Sequence, residues 1–354
     1  MSVDSAKSSP TRDTPVDGVM DRTAVDPRGL KPAAQRSGHP KTTARNRKAR
    51  DPRLEALGDL YPFDSHYLDL GGQRMHYLDE GKGPALVMLH GNPTWSFYYR
   101  ELIQGLRLRY RVIAPDHIGC GLSEKPQRYP YTLATHIDNL ERLMDHLGLQ
   151  DVTLVVHDWG GPIGFGWAMR HPERARRFVV FNTTAFLGEP TPFRIRVCGW
   201  PKIGEFLVRG LNGFARAGTR MACHRRERMT RIVRKGYLLP YDSYANRVAI
   251  LGFIRDIPLR PEQPSHGLLL DIQSSLARFG DRPMAIFWGM KDFCFTRRFL
   301  TEWMFRFPEA AVHCYPEAGH YVVEDACEEI LPALMQFLEK SDHTVPKAPV
   351  TSST

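Results

Sequence analysis

The sequence contains no run of about 18 apolar residues, which is the length that a membrane-spanning helix requires. Its six cysteines lie far apart and include no C-x-x-C pair, which excludes a zinc site of that spacing and a disulfide framework. No H-E-x-x-H or other metal-ligand spacing occurs, so we expect neither a metal nor a cofactor. The amino terminus also lacks the apolar segment of a secretory signal, and reduced thiols in a cytoplasmic protein are therefore expected.

Large apolar side chains are scarce before Leu54, and residues 1–53 are instead rich in Ser, Thr, Pro, Asp, Arg and Lys. This composition cannot offset the entropy lost on ordering, so we predict a disordered basic tail over residues 1–53 and a polar tail over residues 341–354. Residues 1–50 hold eleven Lys or Arg and five Asp, which accounts for +6 of the formal net charge of +9. The remaining chain is nearly neutral, which argues against a nucleic-acid surface.

Strand-like and helix-like segments alternate along the rest of the chain. Two alternating segments around Gly71 and Gly72 predict a β-hairpin between Tyr61 and Glu80. Apolar runs predict further strands at residues 85–91, 111–115, 152–156, 177–182, 285–289 and 312–316. Apolar residues at helical spacing predict helices at residues 97–106, 133–147, 163–169 and 326–338. This alternation predicts an α/β fold with a doubly wound, mostly parallel sheet.

The long segment between the strands at 177–182 and 285–289 shows no buried-strand pattern. It is rich in helix formers, arginine and aromatic residues, and we interpret it as an inserted helical cap domain. The predicted domains are therefore a core of residues 54–182 and 276–340, with the cap at residues 183–275 between its two parts.

The residues VVHDWGG, from Val155 to Gly161, place a carboxylate between a predicted strand and a predicted helix. This layout is that of a nucleophile elbow, whose usual sequence is G-x-S-x-G. Asp158 stands here in place of the serine. A carboxylate that attacks a saturated carbon displaces a leaving group and forms an alkyl ester that water can cleave, so this nucleophile implies an sp3 electrophile. The alternative is that Asp158 only caps the following helix.

Functional side chains also follow two later strands, and the carboxyl ends of parallel strands meet at one edge of such a sheet. His320, in EAGHY after the last strand, would act as the general base that activates water. Asp292, in GMKD after the strand at 285–289, would hold the imidazole in one tautomer. The ordinary alternative for His320 is a surface loop histidine, although the order of nucleophile, acid and histidine along the chain favours the catalytic interpretation.

The loop HGNPTW follows the strand at 85–91 and contains Asn92. In an ester hydrolase of this layout, backbone N–H groups of this loop and of the residue after the nucleophile, here Trp159, form the oxyanion hole. The indole of Trp159 and the amide of Asn92 are in addition two neutral donors that could converge on an anionic leaving group. The alternative for Asn92 is a simple turn-former before Pro93.

Together the motifs HGNPTW, VVHDWGG, GMKD and EAGHY resemble the haloalkane dehalogenases of the α/β-hydrolase superfamily, over nearly all of residues 61–339. The Asp after GMK, with the Asn and Trp donors, looks like the third subfamily. The resemblance implies that Asp158 displaces halide, that Asn92 and Trp159 hold it, and that His320 with Asp292 hydrolyses the ester. Epoxide hydrolases share the elbow but need paired cap tyrosines, for which Tyr237, Tyr241 and Tyr244 are the candidates.

Four other segments resemble the β-lactone decarboxylases of bacterial long-chain olefin biosynthesis, and these segments are DHIGCGLSEKP, LNGFARAG, LPYDSYANRVAILGFIRDIPL and FWGMKDFCF. Two of them lie in the predicted cap. This resemblance implies that the Asp opens a strained lactone ring and that loss of CO2 yields an alkene, so the Asn and Trp donors would face a carboxylate. A non-catalytic ligand receptor on the same fold is the alternative outside enzymes, and retention of all three triad positions argues against it.

The expected partner is an apolar small molecule, and the sequence leaves a homo-oligomer open. Residues 216–235 contain nine basic residues, for which a solvated helix face is the ordinary interpretation. The alternative is that this basic part of the cap docks onto a membrane surface or a partner enzyme.

Deletion of residues 1–50 should leave the enzymatic rate unchanged, because the composition of this segment predicts no contribution to the core. Activity of the truncated and full-length proteins, assayed side by side, checks this expectation. Failure of the truncated protein to fold would show that the tail is part of the domain.

Overall fold

The computed structural model describes residues 51–342, and the predicted tail residues 1–50 and 343–354 lie outside this range. Asp51 caps a kinked 3-10 segment, Pro52–Leu60, in which Leu54 and Leu57 are buried. At the other end, the last helix continues to Asp342. The described secondary structure thus extends a few residues into both predicted tails.

A single eight-stranded sheet forms the centre of the described domain. Its strands are β1 His66–Asp69, β2 Arg74–Glu80, β3 Ala85–Leu89, β4 Arg111–Pro115, β5 Val152–Asp158, β6 Ala175–Thr183, β7 Met284–Gly289 and β8 Ala311–Tyr315. Their spatial order is β1-β2-β4-β3-β5-β6-β7-β8, and only the β1–β2 and β2–β4 pairs are antiparallel. Every residue of β5 and β6 is buried, as expected for central strands that are covered on both faces. The predicted hairpin and the mostly parallel sheet are confirmed.

Two layers of helices cover the sheet. The helices are α1 Arg100–Leu106, α2 Leu133–His146, α3 Gly160–Arg170, α4 Phe193–Cys198, α5 Gly213–Met221, α6 Arg231–Leu238, α7 Val248–Asp256, α8 Pro264–Ser275, α9 Arg297–Arg306 and α10 Val322–Asp342. Helices α2, α3, α8 and α9 share one apolar cluster with the sheet, and α1 and α10 share the other. None of the helices in residues 51–342 is long and apolar enough to cross a membrane.

The segment between β6 and β7, here called the helical insertion, contains α4 to α7, three short segments (π-helical Glu205–Gly210 and 3-10 Leu239–Tyr241 and Ala245–Arg247) and α8. The cap boundaries at residues 183 and 275 stay a prediction. Helix α8 places Leu269 and Ile272 in the same apolar cluster as α2 and α3.

A buried ion pair joins the two helices on one face of the sheet to the insertion. The guanidinium of Arg100 in α1 donates to both carboxylate oxygens of Glu324 in α10, at 2.8 and 2.7 Å. Tyr237 in α6 donates its hydroxyl to the same carboxylate at 2.8 Å. The side chains of Arg100 and Glu324 are 2% and 3% exposed, so their charges depend on each other for compensation.

Replacement of Glu324 by alanine should lower the free energy of unfolding by about 3 to 5 kcal/mol, because it leaves the buried Arg100 guanidinium without a counter-charge. Urea unfolding followed by circular dichroism measures this loss. Replacement of the half-exposed Glu101, which also contacts Arg100, should cost less than about 1 kcal/mol and serves as the matched control. Equal losses in the two variants would contradict the expectation.

Candidate active site

The turn between β5 and α3 holds the predicted nucleophile in a strained backbone conformation. Asp158 has a φ of 50°, which is left-handed and unfavourable for a residue with a side chain. The surrounding backbone leaves little room, since a Cβ atom on Gly160 would lie 2.0 Å from the carbonyl oxygen of Leu89. A Cβ on Gly91 would lie 2.1 Å from an Asp158 carboxylate oxygen. These glycines allow the sharp turn that points Asp158 out of the sheet edge.

The alternative role of Asp158 as a helix cap does not match the observed turn. The residue that caps α3 is Trp159, and no side chain accepts a hydrogen bond there. Backbone N–H groups instead converge on the Asp158 carboxylate, with that of Asn92 donating to Oδ1 at 2.7 Å and that of Trp159 as a second donor. The backbone N–H groups of the two residues predicted to form the oxyanion hole therefore donate to the Asp158 carboxylate.

Burial is the main influence on the charge of Asp158. The loss of solvation raises the pKa of this carboxyl group, while His320 and the two backbone donors oppose that rise. The residue is 8% exposed, so bulk water screens the carboxylate little. Poor hydration makes a carboxylate a stronger nucleophile than one in water, while the two N–H groups favour its charged form and fix its orientation.

His320 and Asp292 form the expected hydrogen-bonded pair. The Nδ1 atom of His320 lies 2.8 Å from Oδ2 of Asp292, and both residues are 7% exposed. Because a carboxylate only accepts, Nδ1 carries the proton and Nε2 faces Asp158, with 3.8 Å between Nε2 and Oδ2. Burial lowers the pKa of His320, but the carboxylates of Asp292 and Asp158 outweigh it, and the net pKa is raised.

The leaving-group donors are arranged less simply than the sequence predicted. The amide Nδ2 of Asn92 donates to the carbonyl oxygen of Ile250 in α7 at 3.2 Å, which leaves one of its two N–H bonds for another acceptor. The indole of Trp159 is half-buried and packs against Phe253 of the same helix, with ring centroids 5.3 Å apart. Helix α7 thus lies over both donors and fixes their orientation.

Three residues that support this site were not among the predictions. Asn182, at the end of β6, donates its amide to Asp292 Oδ2 at 3.0 Å. His157 donates from Nε2 to the carbonyl oxygen of His320 at 2.9 Å. Asp325 accepts from the backbone N–H of Gly319 at 2.7 Å and so fixes the start of the histidine loop.

A signal was present in the sequence for two of these three. Asn182 lies at the end of a predicted strand, where a polar side chain reaches the same sheet edge, although its amide cannot act as the acid. His157 stands directly before the nucleophile, where its ring alternates to the opposite face of the strand. No local pattern marked Asp325, since its partners come from the histidine loop and from residues 223–225 of the insertion.

The tyrosines that an epoxide hydrolase would need are engaged elsewhere. Tyr237 donates its hydroxyl to the buried Glu324, and Tyr241 donates to the backbone oxygen of Thr94 at 3.3 Å. Tyr244 is exposed at the surface of the insertion. No pair of these hydroxyls is therefore available to activate an epoxide oxygen. Within residues 51–342, no group of three or more His, Cys, Asp or Glu side chains is placed to hold a metal ion.

Comparisons with known proteins show the fold and the relatives of this chain. A family model described as the alpha/beta hydrolase fold matches residues 84–220. Two proteins named cis-3-alkyl-4-alkyloxetan-2-one decarboxylase are 43% identical to this chain. The match to the Shewanella oneidensis protein spans 81% of this chain and 92% of that protein. The match to the Xanthomonas campestris protein spans 79% of this chain and 98% of that protein. Haloalkane dehalogenase 2 of Mycobacterium bovis is 32% identical over 78% of this chain and 96% of its own.

Solved structures show the same relationship. The crystal structure of haloalkane dehalogenase DbeA from Bradyrhizobium elkani superposes with a TM-score of 0.71 and 25% identity, over 79% of this chain and 99% of that one. The predicted fold and the predicted resemblance are both confirmed. The chain belongs to the α/β-hydrolase fold family, in the group that includes the haloalkane dehalogenases and the cis-3-alkyl-4-alkyloxetan-2-one decarboxylases.

Proposed function

We propose that this enzyme decarboxylates cis-dialkyl β-lactones, which are oxetan-2-ones, to alkenes through an ester on Asp158. The observation that carries the proposal is the 43% identity, over about four fifths of the chain, to two proteins whose name states that reaction. The Asn92 and Trp159 donor pair favours haloalkane dehalogenation on the sequence motifs alone. The dehalogenases are more distant, at 32% identity, so decarboxylation is the first candidate.

The proposed reaction is a displacement at carbon followed by a decarboxylative elimination. Asp158 attacks the ring carbon that bears the ring oxygen, and the C–O bond breaks to release a carboxylate on the neighbouring carbon. The electrons of the bond between that carbon and its carboxylate then form the C=C bond. CO2 departs and Asp158 leaves with its original electron pair. The atoms balance without water, an oxidant or a net proton transfer.

The geometry around Asp158 supports these steps. Its Oδ1 atom is held by the N–H of Asn92, which leaves Oδ2 as the attacking oxygen. The same backbone donors stabilise the carboxylate when it leaves again in the second step. The remaining Asn92 amide N–H and the Trp159 indole would receive the carboxylate that the ring opening releases.

Haloalkane hydrolysis is the second candidate, and the pairing of His320 with Asp292 favours it. A general base next to the alkyl ester is needed only if water cleaves that ester, as in the dehalogenase reaction. The same Asp158 would attack the carbon–halogen bond, and Asn92 and Trp159 would hold the halide. Both reactions first form an alkyl ester on Asp158, and they differ in whether water takes part in the second step.

The helical insertion serves in this proposal as a cap over an apolar substrate. The support is the contact of α7 with the two donor residues, since Ile250 accepts from Asn92 and Phe253 packs on Trp159. A cytoplasmic location also belongs to the proposal. It is supported by the six cysteines, all of which lie in the described residues and none of which is in a disulfide.

Turnover in H2 18O should separate the two reactions. With 1,2-dibromoethane, water attacks the ester carbonyl, so one 18O should enter the Asp158 carboxylate and raise the mass of the elbow peptide. With a cis-dialkyl β-lactone, Asp158 should keep its own oxygens while alkene accumulates. Mass spectrometry of the peptide and gas chromatography of the alkene measure both results.

The variant His320→Ala provides the matched control. With the bromoalkane it should accumulate the alkyl ester, while with the lactone it should still form alkene, because that step needs no base. Label in Asp158 during lactone turnover, with alcohol in place of alkene as the product, would refute the decarboxylase proposal. Turnover of neither substrate by the wild-type protein would refute both readings.

The two substrates should also differ in their pH dependence. Hydrolysis needs neutral His320, whose pKa is raised, so the bromoalkane rate should fall as the pH drops through a midpoint above the ordinary histidine value of about 6.5. Decarboxylation needs only ionised Asp158 and should decline at lower pH, through a midpoint above the ordinary aspartate value of about 3.9. Steady-state kcat as a function of pH for each substrate checks this order. If kcat falls over the same pH range for both substrates, the expected order is wrong.

A further inference from the structure

Four large apolar side chains cluster on the outer surface of the helical insertion. They are Phe193 in α4 and Trp200, Ile203 and Phe206 in the turns that follow, and they are 67%, 48%, 40% and 63% exposed. The rings of Phe193 and Trp200 meet edge to face at 6.1 Å, and the other two follow at three-residue steps along helical turns. Single exposed apolar residues are common, but four large ones within one short surface segment point to an interaction surface. We call these four residues the aromatic face.

The aromatic face is not required for packing within the insertion. The inward side of the same elements carries Ile195 and Val208, which are buried in one cluster with Ile250 and Leu251. That cluster anchors α4 and the π-helical segment to α7. The outward residues are therefore free to contact something outside the described domain.

Cations surround the aromatic face and lack carboxylate partners. Arg194, Arg196 and Lys202 are exposed, and none of them contacts an acidic group among residues 51–342. The acidic residue of this stretch, Glu205, is already bonded to Arg209 as well as to Arg255. Exposed aromatic rings beside unpaired arginine and lysine are the pattern of a surface that binds anionic lipid headgroups.

This location differs from the basic stretch 216–235 that the sequence suggested. Within that stretch, Arg225, Arg228 and His224 form ion pairs with glutamates near the carboxyl end of the chain. Its exposed large apolar side chains are Met221 and Ile232. With three of its nine basic residues in ion pairs and two exposed large apolar side chains, this stretch fits a solvated face better than a lipid-binding one.

The aromatic face also lies close to the catalytic residues. The guanidinium of Arg194 stacks on the ring of Phe293, with 4.1 Å to the centroid. The ring of Phe293 in turn lies 6.3 Å from that of His320. One layer of side chains thus separates this surface from the active site, so a bilayer held here would deliver an apolar molecule by a short path.

We infer that the aromatic face docks the enzyme onto an anionic lipid bilayer. Phe193, Trp200 and Phe206 insert at the level of the headgroups, and the neighbouring cations contact lipid phosphates. The role of this docking, which is access to a substrate dissolved in the bilayer, rests on the proposed function, because a β-lactone with two alkyl chains partitions into lipid. The binding itself does not depend on that function and is measured without substrate.

Co-sedimentation of the full-length protein with vesicles tests the inference. Binding to phosphatidylcholine vesicles that contain phosphatidylglycerol should exceed binding to phosphatidylcholine alone and should fall with salt. The variant Phe193→Ser/Trp200→Ser/Phe206→Ser should bind about tenfold or more weakly, since it removes the inserted apolar area. Every protein compared keeps residues 1–50, so the charge of that segment is constant.

A matched control and a second variant keep the test decisive. Leu108 and Phe305 are 83% and 79% exposed outside the insertion, and Leu108→Ser/Phe305→Ser should leave vesicle binding unchanged. The variant Arg194→Gln/Arg196→Gln/Lys202→Gln should lose most of the preference for phosphatidylglycerol. All variants should retain the wild-type circular dichroism spectrum and urea unfolding midpoint, which shows that they are folded.

Undiminished binding by the serine variant would overturn the inference, and so would equal losses in the control. Absence of wild-type binding to either vesicle, with association to an acidic protein instead, would assign the aromatic face to a protein partner and also overturn it. Because none of these readouts uses lactone turnover, failure of the proposed decarboxylation leaves the vesicle result intact.

Discussion

The structure depends on one constraint, which is that a buried carboxylate must stay charged and point out of the sheet edge. Burial acts against the charge of Asp158, and the N–H groups of Asn92 and Trp159 compensate for part of the lost solvation. Those donors occupy their positions only because the backbone at Asp158 turns through a left-handed conformation. The close approach at Gly91 and Gly160 follows from the same turn, so the local sequence VVHDWGG and the loop HGNPTW form one unit.

The rest of the site is brought to this unit by the order of the strands. Strands β3, β5, β6 and β7 are parallel neighbours, and their carboxyl ends supply Asn92, Asp158, Asn182 and Asp292 in turn. Asn182 then links the strands to the acid, since its amide donates to Asp292 and accepts from the N–H of Gly289 at 2.7 Å. A single edge of the sheet thus aligns the predicted nucleophile Asp158, its donors and the predicted acid Asp292.

Sequence reasoning succeeded where chemistry and topology are encoded locally. The strand pattern predicts the sheet. The ends of the strands predict that Asp158, Asp292 and His320 are neighbours, and these residues lie together in the structure. It was less successful where a partner comes from a distant segment. The amide of Asn92 donates to Ile250, some 158 residues further along, and the packing of α8 on α2 depends on contacts that its own periodicity does not specify. The role of Asp325 is not predictable from the sequence for the same reason, since its partners lie in separate segments.

The contacts of Asp325 restrict how the helical insertion can move. This fully buried carboxylate accepts from Gly319 in the histidine loop and from the backbone of His224 and Arg225 in the insertion. The backbone N–H of Tyr321 adds a bond to the oxygen of Ala222 at 2.8 Å. The insertion is fastened here to the loop that carries His320, so any shift of residues 222–225 would also move the imidazole relative to Asp292 and Asp158.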